Sequence, residues 1–160
     1  MANIALTLAR PRDAQFIAQM SRDLVEAGLH WSWKPARVHT HIRSSESNVV
    51  IAKEHGHLAG FAIMQFYDEH AHLNLLAVDP VYRRAGLGRR LVEWQEDTAR
   101  AGGIFCVNLE VRANNTGARA FYRSLGYREA HRIPGYYHGR EDAIRMTHDL
   151  TRKKEGELHA

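Results

Sequence analysis

The sequence predicts an α/β domain, and three observations predict it. Short apolar segments of period two are followed by segments whose apolar residues recur every three or four positions. Glycine and proline punctuate most of the boundaries between them. Strands and helices are interspersed along 160 residues with no repeat and no linker, as in one layered domain rather than two.

The chain opens on "IALTLA" (4–9), a weakly alternating first strand. Pro11 and Asp13 then open a helix, with Asp13 placed to cap it. Its apolar stripe is Ala14, Ile17, Ala18, Leu24 and Val25, and Gly28 stops it. Pro35 starts a second, shorter helix that fades into serines. "NVVIAKE" (48–54), "LAGFAIMQFY" (58–67) and "AHLNLLAV" (71–78) read as an antiparallel meander joined by tight turns. Asp79-Pro80 ends it, because proline cannot donate into a ladder. From Gly86 the period changes: Leu87, Leu91, Trp94 and Thr98 share one helical face, and Gly102-Gly103 ends that helix. "IFCVNLEV" (104–111) is the next strand. "NNTGARAFYRSLGY" (114–127) is a helix with Ala118, Phe121, Tyr122 and Leu125 on one side. The stretch that follows reads as a Gly/Pro loop, and "EDAIRMTHDL" (141–150) as the last strand. The predicted order is β, α, α, three strands, α, β, α, β. The domain spans 1–150, and 151–160 form a solvated tail.

Composition narrows the function. Hydrophobic residues make up 44% of the chain, enough for a packed core. No apolar run approaches the ~20 residues that cross a bilayer. "MANIALTLARPRDAQ" has no basic region ahead of its apolar piece, so a cytoplasmic protein without a membrane partner is expected. The net charge of +4 favours anionic ligands. The arginines cluster instead of forming the basic, aromatic-laced surface of a nucleic-acid binder, so no nucleic acid is expected. The lone Cys106 excludes an internal disulfide and a multi-cysteine metal site. Three His-x-His pairs, His39/His41, His55/His57 and His70/His72, lack a third ligand at metal spacing. They read as surface histidines, and no metal is expected.

The stretch richest in chemistry is "VDPVYRRAGLGRRL" (78–91). A strand ends, a glycine turn follows, and a helix begins. The first amides of a helix lack internal partners and sit at its positive end. Glycines let a ligand reach that backbone, and Arg83, Arg84, Arg89 and Arg90 add charge. These are the parts of a pyrophosphate cradle. A dinucleotide fingerprint would need glycine where Leu91 stands, and a P-loop would need Gly-Lys-Ser/Thr. From these residues alone, an ordinary helix entry on a basic surface stays open.

The pattern Arg83-x-x-Gly86-x-Gly88 after a strand ending "AVDP", followed by "LEVRANNTGARAFYRSLGY" (109–127), resembles the GCN5-related N-acetyltransferases (GNAT). The resemblance covers roughly residues 4–150. "LEVRANN" and "IPGYYHGREDAIRM" are similar to the ribosomal-protein alanine N-acetyltransferase branch. The resemblance implies a single GNAT (acyl-CoA N-acyltransferase) fold with a mixed central sheet flanked by helices. It also implies acetyl-CoA as co-substrate. The pyrophosphate would sit on the turn of Arg83, Arg84, Ala85, Gly86, Leu87, Gly88 and Arg89. The pantetheine arm would run between "LNLLAV" and "CVNLEV", along Leu76, Ala77 and Val78, with Asn115 touching it.

The same resemblance supplies the chemistry. By alternation Glu110 faces solvent or pairs with an arginine; the resemblance makes it the base, acting through water. Tyr122 reads from its helix as a core aromatic with a polar tip; the resemblance makes it the acid that protonates the CoA sulfur. Tyr136 and Tyr137 are loop aromatics or walls of an acceptor groove. Trp31 and Trp33 line that groove or cap the core, and no peptide contact can be assigned to them. The expected acceptor is an amine: a protein N-terminus, or a small molecule such as a polyamine, amino acid or aminoglycoside. A non-catalytic acyl-CoA sensor would need neither Glu110 nor Tyr122. A monomer or homodimer is expected.

Overall fold

The computed structural model describes residues 4–83 and 85–151. The elements are β1 (Leu6–Leu8), α1 (Ala14–Met20), α2 (Pro35–Arg43), β2 (Ser47–Glu54), β3 (His57–Phe66), β4 (Ala71–Val78), α3 (Leu87–Ala101), β5 (Cys106–Arg112), α4 (Thr116–Ser124), β6 (Arg128–Tyr137) and β7 (Glu141–Asp149). The strands form one sheet in the order β1-β2-β3-β4-β5-β7-β6. The β4–β5 pair is parallel, and the other five pairs are antiparallel. The predicted α/β class and mixed central sheet with flanking helices are what the chain adopts.

The sheet is buried on both faces. Val50, Ala52, Ala62, Met64 and Leu109 pack with Leu87, Leu91, Val92 and Ala99 of α3 and Tyr122 of α4. Val49, Ile51, Phe61 and Ile63 pack with Ala14, Ile17 and Ala18 of α1 and Val38 of α2. A strand covered on both sides reads as a near-continuous apolar run, and "VVIA" and "LAGFAIM" are such runs.

Two departures in β4 matter for function. Ile63 pairs with Leu75 and Met64 with Leu73, which leaves Asn74 as an extra residue. Such a bulge moves the following side chains to the opposite face. Ala71 and Leu73 therefore pack on the α3 side, while Leu75 and Ala77 pack on the α1 side. Second, β4 pairs with β5 only at Ala71↔Val107 and His72↔Asn108. Beyond that the two strands part.

Three local readings need correction. The stretch read as a Gly/Pro loop belongs to strand β6 and its turn into β7. Its residues are mostly exposed, and its register breaks on either side of the 131–133 segment, so no apolar period marks it. Asp142 secures the irregular part by accepting from Arg132 Nε at 2.7 Å and Gly135 N at 2.8 Å. The first helix does not run on as α-helix to Gly28; it ends in a π-helical turn at Ser21–Val25. Asp13 does not cap α1. It accepts from Arg10 N at 2.7 Å and pairs with Lys53 Nζ at 2.7 Å, anchoring the chain to β2.

One buried side chain joins α3 to the sheet. Gln95 Nε2 donates to Asn48 O and Ala62 O, each at 2.9 Å, and Gln95 Oε1 accepts from Asn48 Nδ2 at 2.9 Å. Gln95→Leu keeps the volume but leaves those buried carbonyls without their donor. It should lower stability by ~1–3 kcal/mol, seen as a lower urea midpoint at unchanged slope. An unchanged midpoint would show that the carbonyls need no donor.

Candidate active site

The site is built where the sheet opens. On one side, α3 begins at Gly86, whose φ of 74° lies in the left-handed region, with no side chain capping the first turn. The leading amides are thereby left for a ligand. Gly88 serves closeness: a Cβ there would stand 3.2 Å from Phe121 Cζ, a tight contact that the Phe121 ring would have to shift to relieve. A cleft of about 580 Å³ runs from this turn along Leu76, Ala77 and Val78 to Asn115 and Tyr122. Arg83, Leu87 and Arg89 also line it, so most of the predicted cofactor residues come together. Ala85 sits on the turn without lining the cleft. Arg84 lies outside the described residues. Asn115 also caps α4, its Oδ1 accepting from Ala118 N at 3.0 Å.

A second cavity, about 420 Å³, opens on the α1/α2 side and shares Leu76, Asn115, Ala118 and Tyr122 with the first. Tyr122 thus stands at the junction. It is 8% exposed, edge-on to Phe121 and Tyr127 at 5.1 and 5.6 Å between ring centroids. Burial pushes its phenol well above the ordinary tyrosine range, so it stays protonated and able to donate.

Glu110 projects from β5 into the second cavity. Leu109 and Val111 turn to the α3 core, which sends Glu110 the other way. Its side chain is only 5% exposed, and three donors reach it. His72 Nε2 lies 2.8 Å from Oε1, the Tyr136 hydroxyl donates to Oε1 at 3.0 Å, and Arg145 Nε donates to Oε2 at 3.0 Å. Burial alone would raise this carboxyl. The hydrogen bond and charge of His72, the Tyr136 hydroxyl and Arg145 overcome it and bring the pKa down to about 2.

His72 corrects the sequence reading, which placed it among surface histidines. It is half-buried, and both ring nitrogens face acceptors, Glu110 Oε1 and Asn74 Oδ1. Only the imidazolium satisfies both sides. Its pKa is raised accordingly: burial opposes the charge, and the bonds to Glu110 and Asn74 outweigh it. The bulge at Asn74 supplies that second acceptor. Burial and the nearby Glu110 charge push Tyr136 up to about 12. Tyr137 is likewise raised by burial and by Tyr136, and it lines the cavity beside Tyr136.

The α1–α2 loop closes this end. Glu26 is buried and accepts from Ser21 Oγ at 2.8 Å, Ser32 N at 2.8 Å, Ser32 Oγ at 2.9 Å and Trp33 N at 3.2 Å. Trp33 is held against the cavity; Trp31 is not among its lining residues and packs on the α1/α2 core instead, below Arg22. His72, Arg145 and Glu26 are the residues that sequence reasoning missed. The available signal was pairwise: once "AHLNLLAV" and "IFCVNLEV" lie side by side, His72 falls beside Glu110. Among the described residues no cluster of three metal-ligating side chains occurs, and no helix is long and apolar enough to cross a membrane.

A sheet parted between two parallel strands, with a glycine-turn helix below the gap, defines the acyl-CoA N-acyltransferase architecture. Comparison with known proteins agrees. The sequence profile described as "Acetyltransferase (GNAT) family" matches residues 16–127, and the chain belongs to that family. It is 47% identical over 96 residues to the Escherichia coli K12 [ribosomal protein bS18]-alanine N-acetyltransferase, covering 58% of this chain and 65% of that relative, just under two thirds of its length. It is 33% identical over 150 residues to the Mycobacterium tuberculosis N-alpha-acetyltransferase RimI, covering 91% and 90% of the two chains. The crystal structure of the E. coli ribosomal-protein-S18-alanine N-acetyltransferase superposes with a TM-score of 0.77 at 32% identity, covering 96% and 97%.

The site has a pH signature. Glu110 has a lowered pKa, so its contribution to stability is present above the unfolded value of 4.5 and is lost as pH falls toward about 2. His72 has a raised pKa, so its contribution is full below 6.5 and is lost as pH rises through its folded value. In ¹³C-carboxyl NMR, Glu110 should titrate near 2, and the midpoint should climb in His72→Ala. A wild-type midpoint near 4.5 would show that the three donors do not hold the carboxylate.

Proposed function

We propose that the chain is an N-acetyltransferase that moves an acetyl group from acetyl-CoA directly to a primary amine, and that this amine is a protein N-terminus. The observation that carries the reading is the placement of a buried carboxylate and a buried phenol on two walls of one cavity, at the gap between β4 and β5.

Each requirement of the reaction has a residue suited to it. The uncapped turn at Gly86, Leu87, Gly88 and Arg89 offers amides and positive charge to a pyrophosphate. Beyond His72, the β5-facing edge of β4 has no strand partner, so its backbone groups at Leu76 and Val78 are available to the pantetheine arm and to the oxyanion of the tetrahedral intermediate. Glu110 is ionised at neutral pH and sits in the acceptor cavity, where it attracts an ammonium and takes its proton through a water molecule. A carboxylate tied to three donors is a weak base. Displacing the partly exposed Tyr136 hydroxyl from it raises its basicity when the acceptor enters. Tyr122, protonated by burial, gives its proton to the departing thiolate. The names of the E. coli and M. tuberculosis relatives support a protein α-amine as acceptor, and the open cavity bordered by Tyr136 and Tyr137 suits an extended chain end.

CoA release with acetyl-CoA and short N-terminal peptides tests this. Glu110→Gln should lower kcat ~10²–10⁴-fold, the usual worth of a positioned acid or base, with acetyl-CoA affinity kept. Full activity in that variant would remove Glu110 from the reaction. Gly86→Asp puts a side chain at a φ of 74° and a negative charge at the helix mouth, so acetyl-CoA affinity itself should fall. Unchanged affinity would place the pyrophosphate elsewhere.

A further inference from the structure

Arg37, on the first turn of α2, is an arginine of the acceptor cavity that the proposed reaction does not use. It lines the cavity with Glu110, His72 and Tyr136. Its guanidinium carbon lies 3.8 Å from the centroid of the Trp33 ring. Among the described residues, no carboxylate and no hydrogen-bond acceptor engages its side chain.

The other charges nearby are committed. Glu26 is satisfied by Ser21, Ser32 and Trp33, and Glu110 by His72, Tyr136 and Arg145. Arg112 lies 3.8 Å from Glu141 and donates to Ala27 O at 2.6 Å. Arg37 alone among the described arginines of this cavity has its charge unspent. Its platform is rigid as well. Trp33 is 8% exposed, and its backbone amide is tied to Glu26. A guanidinium carried by a ring at this distance uses its π contact and keeps its N–H fork for a planar anion. Pre-positioning lowers the ordering cost of binding one.

We propose that Arg37, stacked on Trp33, is a carboxylate subsite for the acceptor. The acceptor then carries a carboxylate shortly beyond its reacting amine. Resting on the peptide reading above, this is an acidic side chain next to the N-terminal residue; the other source of the same chemistry is the α-carboxylate of a free amino acid. A basic side chain at that place meets a like charge and is disfavoured.

The test reads binding without turnover. CoA is joined through an acetyl linker to the amine of Ala-Asp-Ala-amide, Ala-Ala-Ala-amide, Ala-Lys-Ala-amide or free aspartate, and dissociation constants are measured by calorimetry, with CoA alone as the folding control. The Asp peptide conjugate should bind wild type about tenfold tighter than the Ala conjugate, the worth of one charge-assisted hydrogen-bonded pair. Arg37→Ala should erase the difference, and Arg37→Glu should reverse the order of the Asp and Lys conjugates. Equal affinities in wild type, or a preference that survives Arg37→Ala, would overturn the subsite. An Arg37-dependent gain confined to the aspartate conjugate would overturn its peptide form. Arg37-dependent binding of the Asp conjugate without CoA release from the matching free peptide and acetyl-CoA would overturn peptide acetylation and leave the subsite standing. Failure of the wild-type chain to bind CoA alone would overturn both, and an Arg37 variant is compared only where its affinity for CoA alone matches wild type.

Discussion

The structure depends on two parallel strands that stop pairing. β4 and β5 share two register positions and then separate. A separated pair leaves unpartnered backbone groups on both inner edges, which is costly in a closed sheet unless something polar satisfies them. In the proposed function a thioester arm with amides along its length meets that need, so the same gap that weakens the sheet equips it to bind. In that reading the gap has two mouths. The α3 turn, with Gly86 and Gly88, borders the mouth where phosphate fits. Glu110, His72, Trp33 and Arg37 border the mouth proposed for the amine.

The bulge at Asn74 sits at the root of the gap. It turns Leu76 toward the α3 side while leaving His72 on the α1/α2 side, opposite Ala71 and Leu73. It also provides the oxygen that faces His72 Nδ1. One inserted residue thus aims β4 at both cavities and favours the charged form of the histidine beside Glu110. The result is a carboxylate held in its ionised form by geometry. In the proposed reaction its basicity is set by which donor leaves when the acceptor arrives, and Tyr136 is the most exposed of the three donors.

How much of this the sequence carried depended on whether the signal was local. The meander, α3 and α4 announce themselves by period, and Gly86 and Gly88 by their place after "AVDP". β6 is silent because it is a solvent-facing edge strand interrupted by Pro134 and Gly135, so it has no buried stripe to reveal it. The π-helical turn at Ser21–Val25 keeps the helical apolar spacing and hides for the opposite reason. Glu110 and Tyr122 became candidates through family resemblance; alternation alone left Glu110 facing solvent. His72 and Arg145 reach Glu110 across strand pairings that no single segment encodes. Trp31 and Trp33 look equivalent in sequence, yet the Glu26 carboxylate holds the Trp33 amide and sets that ring alone beside the cavity.

In the proposed reaction the gap between β4 and β5 joins a CoA mouth to an amine mouth, with Glu110 and Tyr122 on the walls between. A crystal structure of the chain with a CoA–peptide conjugate tests it most directly. The linker should be threaded between the two strands. Its sulfur should lie within hydrogen-bond reach of the Tyr122 hydroxyl, and its peptide should leave past Glu110 and Tyr136. A linker lying outside the gap, or a peptide leaving on the α3 side, would contradict it.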